Sequence, residues 1–454
     1  MPIEVQSSAA RTGSALVPDL SVIVPTAGRP EAIVRLLKGL ACQTLPAARF
    51  EVVVTDDGTQ PPVAPRLAGL GLPYRFECEW QPRRGPAAAR NRAVAKARAP
   101  LLVILNDDAG PPPDLLERHL AAQRGSPAPR AWLGGFDFAP ECRTPFAVAI
   151  TRLGVVFPYD RMRRDGPNPG RFFWTCNLSV PRAAVVEAGG FDEGFDQPIC
   201  EDVELGYRLE KRGVAVHYLP DAACQHHHRV DVDWFCRRQI ELGRGMVKLW
   251  RTHRDPELLP WIRSARGDET LLALGIEASA SAAGAAYRAI ARAIDAVDHA
   301  APRDRAAEVE SAATALEPRI RRVNEDALRL GLLAGLRGWS AAQALEWLDS
   351  LPALTTLVVP AGRDAASIER LRVRAGAPVE VREIPAARAG GRSLREELLA
   401  SCGGAQICFV EPGFAGEPQW LRRALQAFRG PARVEFGRFR LVRREELAPA
   451  ALTR

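Results

Sequence analysis

Three short apolar runs in this chain each end in polar or acidic residues. LSVIVP (residues 20–25) leads into Thr26, FEVVVTDDG delivers Asp56 and Asp57, and PLLVILNDD delivers Asn106, Asp107 and Asp108. Short β-branched runs closed by Pro, Gly or acids read as fully buried strands. The stretches between them read as helices. EAIVRLLKGLACQ places Ile33, Leu36, Leu37 and Leu40 at helical spacing, and GPAAARNRAVAKARA and PPPDLLERHLAAQ follow. Alternation of helices with near-continuously apolar strands predicts a parallel α/β sheet. In such a sheet the ligand crevice lies outside the carboxyl ends of the strands. Thr26, Asp56, Asp57, Asp107 and Asp108 are therefore expected along one edge. Acids also serve as turn formers and helix caps, but two pairs on successive strand ends favour a site.

A chain of 454 residues is too long for one small core, so two or three domains are expected. The net charge of +7 suits anionic ligands such as nucleotides, phosphorylated lipids or acidic glycans. The basic residues are scattered rather than clustered, so no nucleic-acid partner is expected. The nine cysteines form no C-x-x-C pair and sit mostly in apolar or mixed runs. That favours reduced, buried thiols in a cytosolic protein over disulfides or a zinc site. The first residues show no basic-then-apolar signal pattern, and no run reaches the roughly 18 apolar residues of a membrane span. The expectation is a cytoplasmic protein, at most peripheral to the inner face of a membrane.

Along the chain we expect a flexible N-terminus (1–19), a catalytic domain (20–250), a helical segment (251–350) rich in Ala, Arg and Glu that links, packs or makes an oligomer contact, and a small α/β unit (351–454). In the last unit LTTLVVP, PVEVREIP, AQICFVEP and VEFGRFRLV read as strands, with SIERLRVR, SLREELLAS and PQWLRRALQAF as helices between them. LTTLVVPAGRDAASIERL parallels LSVIVPTAGRPEAIVRL, and AQICFVEPGFAGEPQWLRRAL parallels PLLVILNDDAGPPPDLLERHL. Either the second unit is a decayed copy of the first, or two apolar strand–helix units look alike by chance. Where the first has Asp107-Asp108 the second has Glu411-Pro412, and near the place of Asp56-Asp57 it has Glu383 and Ile384, so the paired acids are missing.

LSVIVPTAGR, VVVTDDGT, RRGPAAARNRAV, LVILNDDAGPPPDLL, NLSVPRAAVVEAGGFDEGF, ICEDVELGYRLEKRG and QHHH occur in that order. The ordered set resembles the family 2 glycosyltransferases of GT-A fold and covers residues 20–250. The resemblance implies a Rossmann-like mixed, mostly parallel sheet. It implies inverting transfer from a nucleoside diphosphate sugar, with a UDP-sugar the expected donor, to a hydroxyl on a glycan, lipid or other carrier. Mn²⁺ or Mg²⁺ would be the cofactor. Asp57, with Asp56 beside it, would hold the nucleobase, because a carboxylate can accept hydrogen bonds from a pyrimidine edge. Pro25, Thr26 and Arg29 would border that pocket. Arg90 would lie near the diphosphate, its alternative being an ion pair on its own helix.

Asn106-Asp107-Asp108 stands at the family's metal motif, with Asp108 the direct ligand and Asp107 beside the nucleotide. Asn replaces the frequent Asp at the first position, which lowers the charge of the site. Hard divalent ions take such oxygen ligands together with phosphate oxygens and water. Among Gln225-His226-His227-His228, His226 aligns best as a further ligand and His228 is next. Asp202 would be the general base on the acceptor hydroxyl, with Glu201 positioning it or the acceptor. The plain alternative is that both acids complement a helix N-terminus, worth about 0.3–1 kcal/mol. Trp174 would stack on a pyranose face or belong to the core, and Asn177 would hydrogen-bond sugar hydroxyls.

Two rivals remain. A sugar nucleotidyltransferase needs a Gly-rich loop with Lys after the first strand, and VPTAGRPEA has one Gly and no Lys. An inactive nucleotide-sugar-binding or scaffolding protein fits the second unit better than the first, whose acids and histidines are intact. The loop FPYDRMRRDGPNPGRFF carries Arg161, Arg163, Arg164 and Arg171, which suit either an acidic or lipid-phosphate acceptor or plain solvation.

Overall fold

The computed structural model describes residues 17–126, 128–263, 269–270, 273, 276, 290–298 and 306–350, and five strands beyond them. Eight strands form the first sheet: β1 (Leu20–Thr26), β2 (Phe50–Asp57), β3 (Arg75–Gln81), β4 (Leu101–Leu105), β5 (Ala109–Gly110), β6 (Ala131–Phe138), β7 (Asn177–Pro181) and β8 (Val216–His226). Their order is β3-β2-β1-β4-β7-β6-β8-β5. Around them run α1 (Pro30–Ala41), α2 (Ala64–Leu67), α3 (Pro86–Lys96), α4 (Leu115–Arg124), α5 (Pro145–Arg152), α6 (Arg182–Glu187), α7 (Glu201–Lys211) and α8 (Val232–His253).

The apolar runs behave as their composition demands. β2 is buried at every position and β1 at all but Pro25. In α1 the proline opens the helix, Glu31 lies in the first turn, and Ile33, Leu36, Leu37 and Leu40 face the core. β3, β2, β1 and β4 are parallel, so their acid-bearing ends gather on one edge. β7 then enters antiparallel beside β4, with Leu105 opposite Asn177. That reversal puts the residues before β7 next to those after β4. β6 runs antiparallel to β7, β8 is parallel to β6, and β5 is antiparallel to β8. The fold is thus the mixed, mostly parallel α/β sheet expected. No helix among the described residues is long and apolar enough to cross a membrane.

The chain divides into two compact units, Met1–Arg254 with Val297–Arg321, and Asp255–Ala296 with Arg322–Arg454. Part of the segment read as a linker therefore returns to the first unit. Asp298 accepts from the Phe146 backbone at 2.7 Å, and Arg152 bonds Thr314 at 3.0 Å and pairs with Glu310. The helices Ala306–Arg337 and Ala341–Ser350 agree with the helical reading of this stretch.

The second unit holds β9 (Thr355–Pro360), β10 (Val379–Ile384), β11 (Gln406–Val410), β12 (Arg433–Phe436) and β13 (Phe439–Arg443) in the order β10-β9-β11-β13-β12. VEFGRFRLV, read as one strand, is two antiparallel strands. The stretches SIERLRVR, SLREELLAS and PQWLRRALQAF, and Glu411-Pro412, lie outside the described residues.

Behind the sheet, His119 of α4 is fully buried. Its ring nitrogens lie 2.9 Å from Ser179 Oγ and 3.0 Å from Asn177 Oδ1. Burial lowers its pKa to about 4, against the ordinary 6.5. The unfolded chain therefore takes up a proton before the folded one does. The stability this neutral imidazole contributes is present above pH 6.5 and is lost as pH falls toward 4, a total of about 3 kcal/mol. We expect His119→Gln, which keeps a donor for Asn177, to lose less stability than the native chain between pH 7 and 4.5 in urea titrations. Equal slopes would contradict this.

Candidate active site

Thr26, at the end of β1, donates to Asp107 Oδ2 at 2.7 Å. Arg29 lies across both acids, 2.6 Å from Asp107 Oδ1 and 2.5 Å from Asp108 Oδ2. Its side chain is 43% exposed, while both carboxylates are buried. The arginine assigned to the nucleobase pocket thus also neutralises the acids at the end of β4. Pro25 stays partly exposed at the same edge.

Asp56 and Asp57 are bonded to groups of the chain itself. Asp56 accepts from the Thr59 and Val63 backbone N–H groups at 3.0 and 2.9 Å. Asp57 accepts from Gln81 Nε2 and from the backbones of Arg84 and Gly85. Both are buried and fix the loops that frame the expected nucleobase pocket. Trp80, unnoticed in the sequence, stands 38% exposed at this edge and donates its indole N–H to Thr59 O.

The pairing of β5 with the end of β8 sets Ala109 opposite His226, and His227 N donates to Asp108 O. Side chains alternate along an extended chain. His226 Nε2 therefore comes within 3.5 Å and His228 Nδ1 within 3.8 Å of Asp108 Oδ2, while His227 turns away to Glu141 at 2.7 Å. Ligand atoms of Asp108, His226 and His228 all lie within 4.8 Å of one another. Phe136 and Phe138 flank the His226 ring, and Trp234 packs against His228 at 5.3 Å. Burial would raise the Asp108 pKa, but His226, Arg29 and His228 outweigh it and hold the carboxyl below its usual range. Asp107 is pushed the other way, by burial and the neighbouring carboxylate against the pull of Arg29. Asp108 Oδ1 is buried and accepts no hydrogen bond among the described residues. A carboxylate with a free oxygen and two converging imidazoles is a donor set that fits a divalent cation.

The second acidic pair opens α7. Cys200 before it adopts a left-handed backbone at φ 69°, a strained setting for a non-glycine residue. Glu201 is buried and bound at 2.7 Å to Arg90, which is itself buried and lies 5.6 Å over the Phe191 ring. Arg90 is accordingly not placed for a diphosphate; its guanidinium is committed to Glu201. Burial and the Asp202 charge push Glu201 up to about 7 against Arg90. Asp202 is partly exposed, and accepts from the backbones of Thr175 at 3.3 Å and Val203 at 2.8 Å. Burial of its carboxyl raises its pKa despite Arg90 and these bonds. Two residues on from Trp174, Cys176 O accepts from Asn106 N. The base candidate and the Asp108 cluster are thereby linked through adjoining backbone, Thr175-Cys176 on one side and Asn106 on the other.

Asn177 does not reach the crevice. It is fully buried, donates to Gly135 O and Ala222 O, and receives His119, so its expected contact with sugar hydroxyls is corrected to a core bond between strands. Trp174 stays partly exposed within an aromatic group.

Residues 21–169 match the glycosyl transferase family 2 model. The chain is 30% identical over 311 residues to a validoxylamine A glucosyltransferase of Streptomyces hygroscopicus subsp. jinggangensis, covering 58% of this chain and 73% of the relative. It belongs to glycosyltransferase family 2. A pre-mycofactocin glycosyltransferase of Mycobacterium tuberculosis is 27% identical over 252 residues, 50% of this chain and 46% of the relative. Among solved structures, a mannosyltransferase of Pyrobaculum calidifontis in complex with GDP-Man and Mn²⁺ is 21% identical with a TM-score of 0.44, covering 74% of this chain and 88% of that one.

In this glycosyltransferase, Trp80, Trp234 and Glu141 were missed because none belongs to an acidic or histidine motif. Trp234 had a signal: Asp231 caps α8 three residues earlier, which puts the indole in the first turn beside the histidines. Leaving Glu201 buried without its partner is expected to cost about 3–5 kcal/mol. Arg90→Met should lose that much in chemical denaturation, and Arg90→Met with Glu201→Met should regain most of it. If Arg90→Met alone leaves stability unchanged, the ion pair does not hold the acid.

Proposed function

We propose that this enzyme is an inverting transferase in which Asp202 is the general base and Asp108, His226 and His228 hold a divalent cation at the donor diphosphate. The observation that carries the reading is the Asp108–His226–His228 cluster joined to Asp202 through Thr175 and Asn106. Family membership supports a nucleoside diphosphate sugar as donor. A bound cation would offset the charge that develops on the leaving diphosphate. Two imidazoles in the donor set suit Mn²⁺ better than Mg²⁺, which prefers oxygen ligands.

The acceptor hydroxyl gives its proton to Asp202, and its oxygen attacks the anomeric carbon as the bond to the diphosphate breaks on the opposite face. No enzyme nucleophile is required. Burial that raises the Asp202 pKa makes it a stronger base. Its raised pKa also moves the acid limb of the rate profile above the ordinary carboxyl range near pH 4. Trp174 is the partly exposed neighbour available to sugar, and Arg29, 43% exposed and paired with Asp107 and Asp108, borders the cation site. The acceptor is a hydroxyl on a glycan, lipid or other carrier.

Asp202→Asn should lower transfer about 10²–10⁴-fold while the melting shift with Mn²⁺ and donor persists. A panel of UDP- and GDP-sugars in that thermal assay identifies the base, since stabilisation follows the logarithm of ligand over Kd. Loss of donor binding in Asp202→Asn, with the fold intact, would contradict its role. His228→Ala should weaken Mn²⁺ binding in isothermal titration; an unchanged affinity would remove His228 from the cation site.

We infer further that the second unit is a decayed copy of the first. β9, β10, β11, β12 and β13 follow in chain order the pattern of β1, β2, β4, β6 and β7. Neighbour order and strand direction agree at every pairing: β10-β9-β11 parallel, then β13 and β12 each antiparallel to the strand before. Among the described residues, this sheet has no counterpart of β5 and β8, the strands that carry imidazoles to Asp108. One Mn²⁺ and one donor per full-length chain are expected in equilibrium dialysis. Two of each would overturn this reading.

A further inference from the structure

Beside Asp202 lies an aromatic surface with a cationic rim. Trp174 precedes Thr175, whose backbone N–H meets the Asp202 carboxylate. The Trp174 ring contacts Tyr159 and Phe172 at 5.4 Å and Phe157 at 5.6 Å, and Tyr159 stacks on Tyr218 at 5.3 Å. Trp174, Tyr159, Tyr218 and Phe157 are all partly exposed. Phe157 has a left-handed backbone at φ 50°, a strained conformation of the kind that concentrates at ligand sites.

Arg171 is exposed, with its guanidinium 5.1 Å over the Phe172 ring. Arg164 is exposed, and its charge acts on Tyr218. Neither is in an ion pair with a carboxylate among the described residues. Both belong to the loop that the sequence left between an acidic acceptor and plain solvation.

The loop has a fixed frame. Buried Asn168 accepts from Arg163 N at 2.8 Å and donates to Arg163 O at 3.1 Å, and its backbone bridges to Val216. Gly170 N donates to Glu210 at 2.8 Å, and a Cβ on Gly170 would come within 2.2 Å of Gly206 O. The loop is thus pinned to β8 on one side and packed against α7, the helix that carries Asp202, on the other. Arginines on a fixed frame bind an anion with little ordering cost. Aromatic faces accept the apolar face of a pyranose, and a guanidinium pairs with carboxylate or phosphate in a two-pronged way.

We propose that the acceptor is an anionic pyranose, a sugar bearing a carboxylate or a phosphate, whose ring rests on the Trp174–Tyr159 surface and whose charge meets Arg171 and Arg164. The proposal rests on Asp202 as the base that faces the acceptor, and it adds the chemical class that the base acts on.

The test uses the full chain with Mn²⁺ and has two separate readouts. Isothermal titration compares methyl glucuronide, glucose 6-phosphate and methyl glucoside. We expect the carboxylate or the phosphate ligand to bind about tenfold or more tightly than the neutral glucoside, and the tighter of the two tells which anion is native. Arg164→Gln with Arg171→Gln should erase that advantage while affinity for methyl glucoside is kept. Equal binding of all three ligands, or an advantage that survives the double substitution, would overturn the anionic acceptor. Mn²⁺-dependent hydrolysis of the donor by the native chain is read in parallel. Its absence would count against the transfer reading itself, whatever the titrations show.

Discussion

The short antiparallel pairing of β5 with the end of β8 is the contact on which the site depends. It sets Ala109 against His226 and Gly110 against Gln225, two residues past the acids that end β4. From that register the side-chain alternation follows, so His226 and His228 share the Asp108 side and His227 leaves it for Glu141. Space is tight here. A Cβ on Gly110 would lie 2.5 Å from the His227 ring, so glycine leaves room for that side chain as it turns to Glu141. A shift of one residue would exchange the imidazole that faces the carboxylate for the one that faces away.

Charge is managed around this contact so that few groups remain available. Asp56 and Asp57 are turned onto backbone donors, Arg90 onto Glu201, and Arg208 onto Glu204 and the Ala188 and Gly190 carbonyls. Burying an unpaired charge is far more costly than burying a paired one, which is why these groups are matched. Asp202, His228 and Arg29 stay partly open at the crevice, and Asp108 keeps an unbonded oxygen. Partly open groups with incomplete partners mark the candidate site, whereas a shifted pKa alone does not, as buried His119 shows.

The two sheets share an arrangement of strands. In the first, β7 reverses direction beside β4, and the reversal brings Thr175 and Cys176 to Asn106, so the Thr175 partner of Asp202 and the Asp108 cluster adjoin. In the second, β13 reverses beside β11 in the same way. Among the described residues nothing there corresponds to β5 and β8. Strand order alone therefore does not supply a donor set like Asp108, His226 and His228, which depends on the edge strands β5 and β8.

Much of the fold was legible in the sequence because it is local and periodic. Buried parallel strands must be apolar along their whole length, and LSVIVP, FEVVV and LLVIL are. Their acidic ends pointed to one edge, and the ordered motifs pointed to the family. β3 was harder to see because an edge strand alternates weakly, as its partly exposed residues do. Site residues divided along the same line. Asp108, His226 and His228, named together from the sequence as ligand candidates, do come together, because a run of histidines on one strand meets the acids that follow another. Arg90 and Asn177 were misplaced because sequence carries no measure of depth: Arg90 turned inward to Glu201, and Asn177 faced His119 across the core. The sequence by itself determined the buried strands β1, β2 and β4, the edge where their acidic ends gather and the residue types offered there. Only the tertiary structure decided which of those residues face the crevice, because partner, register and burial are set by segments far apart in the chain.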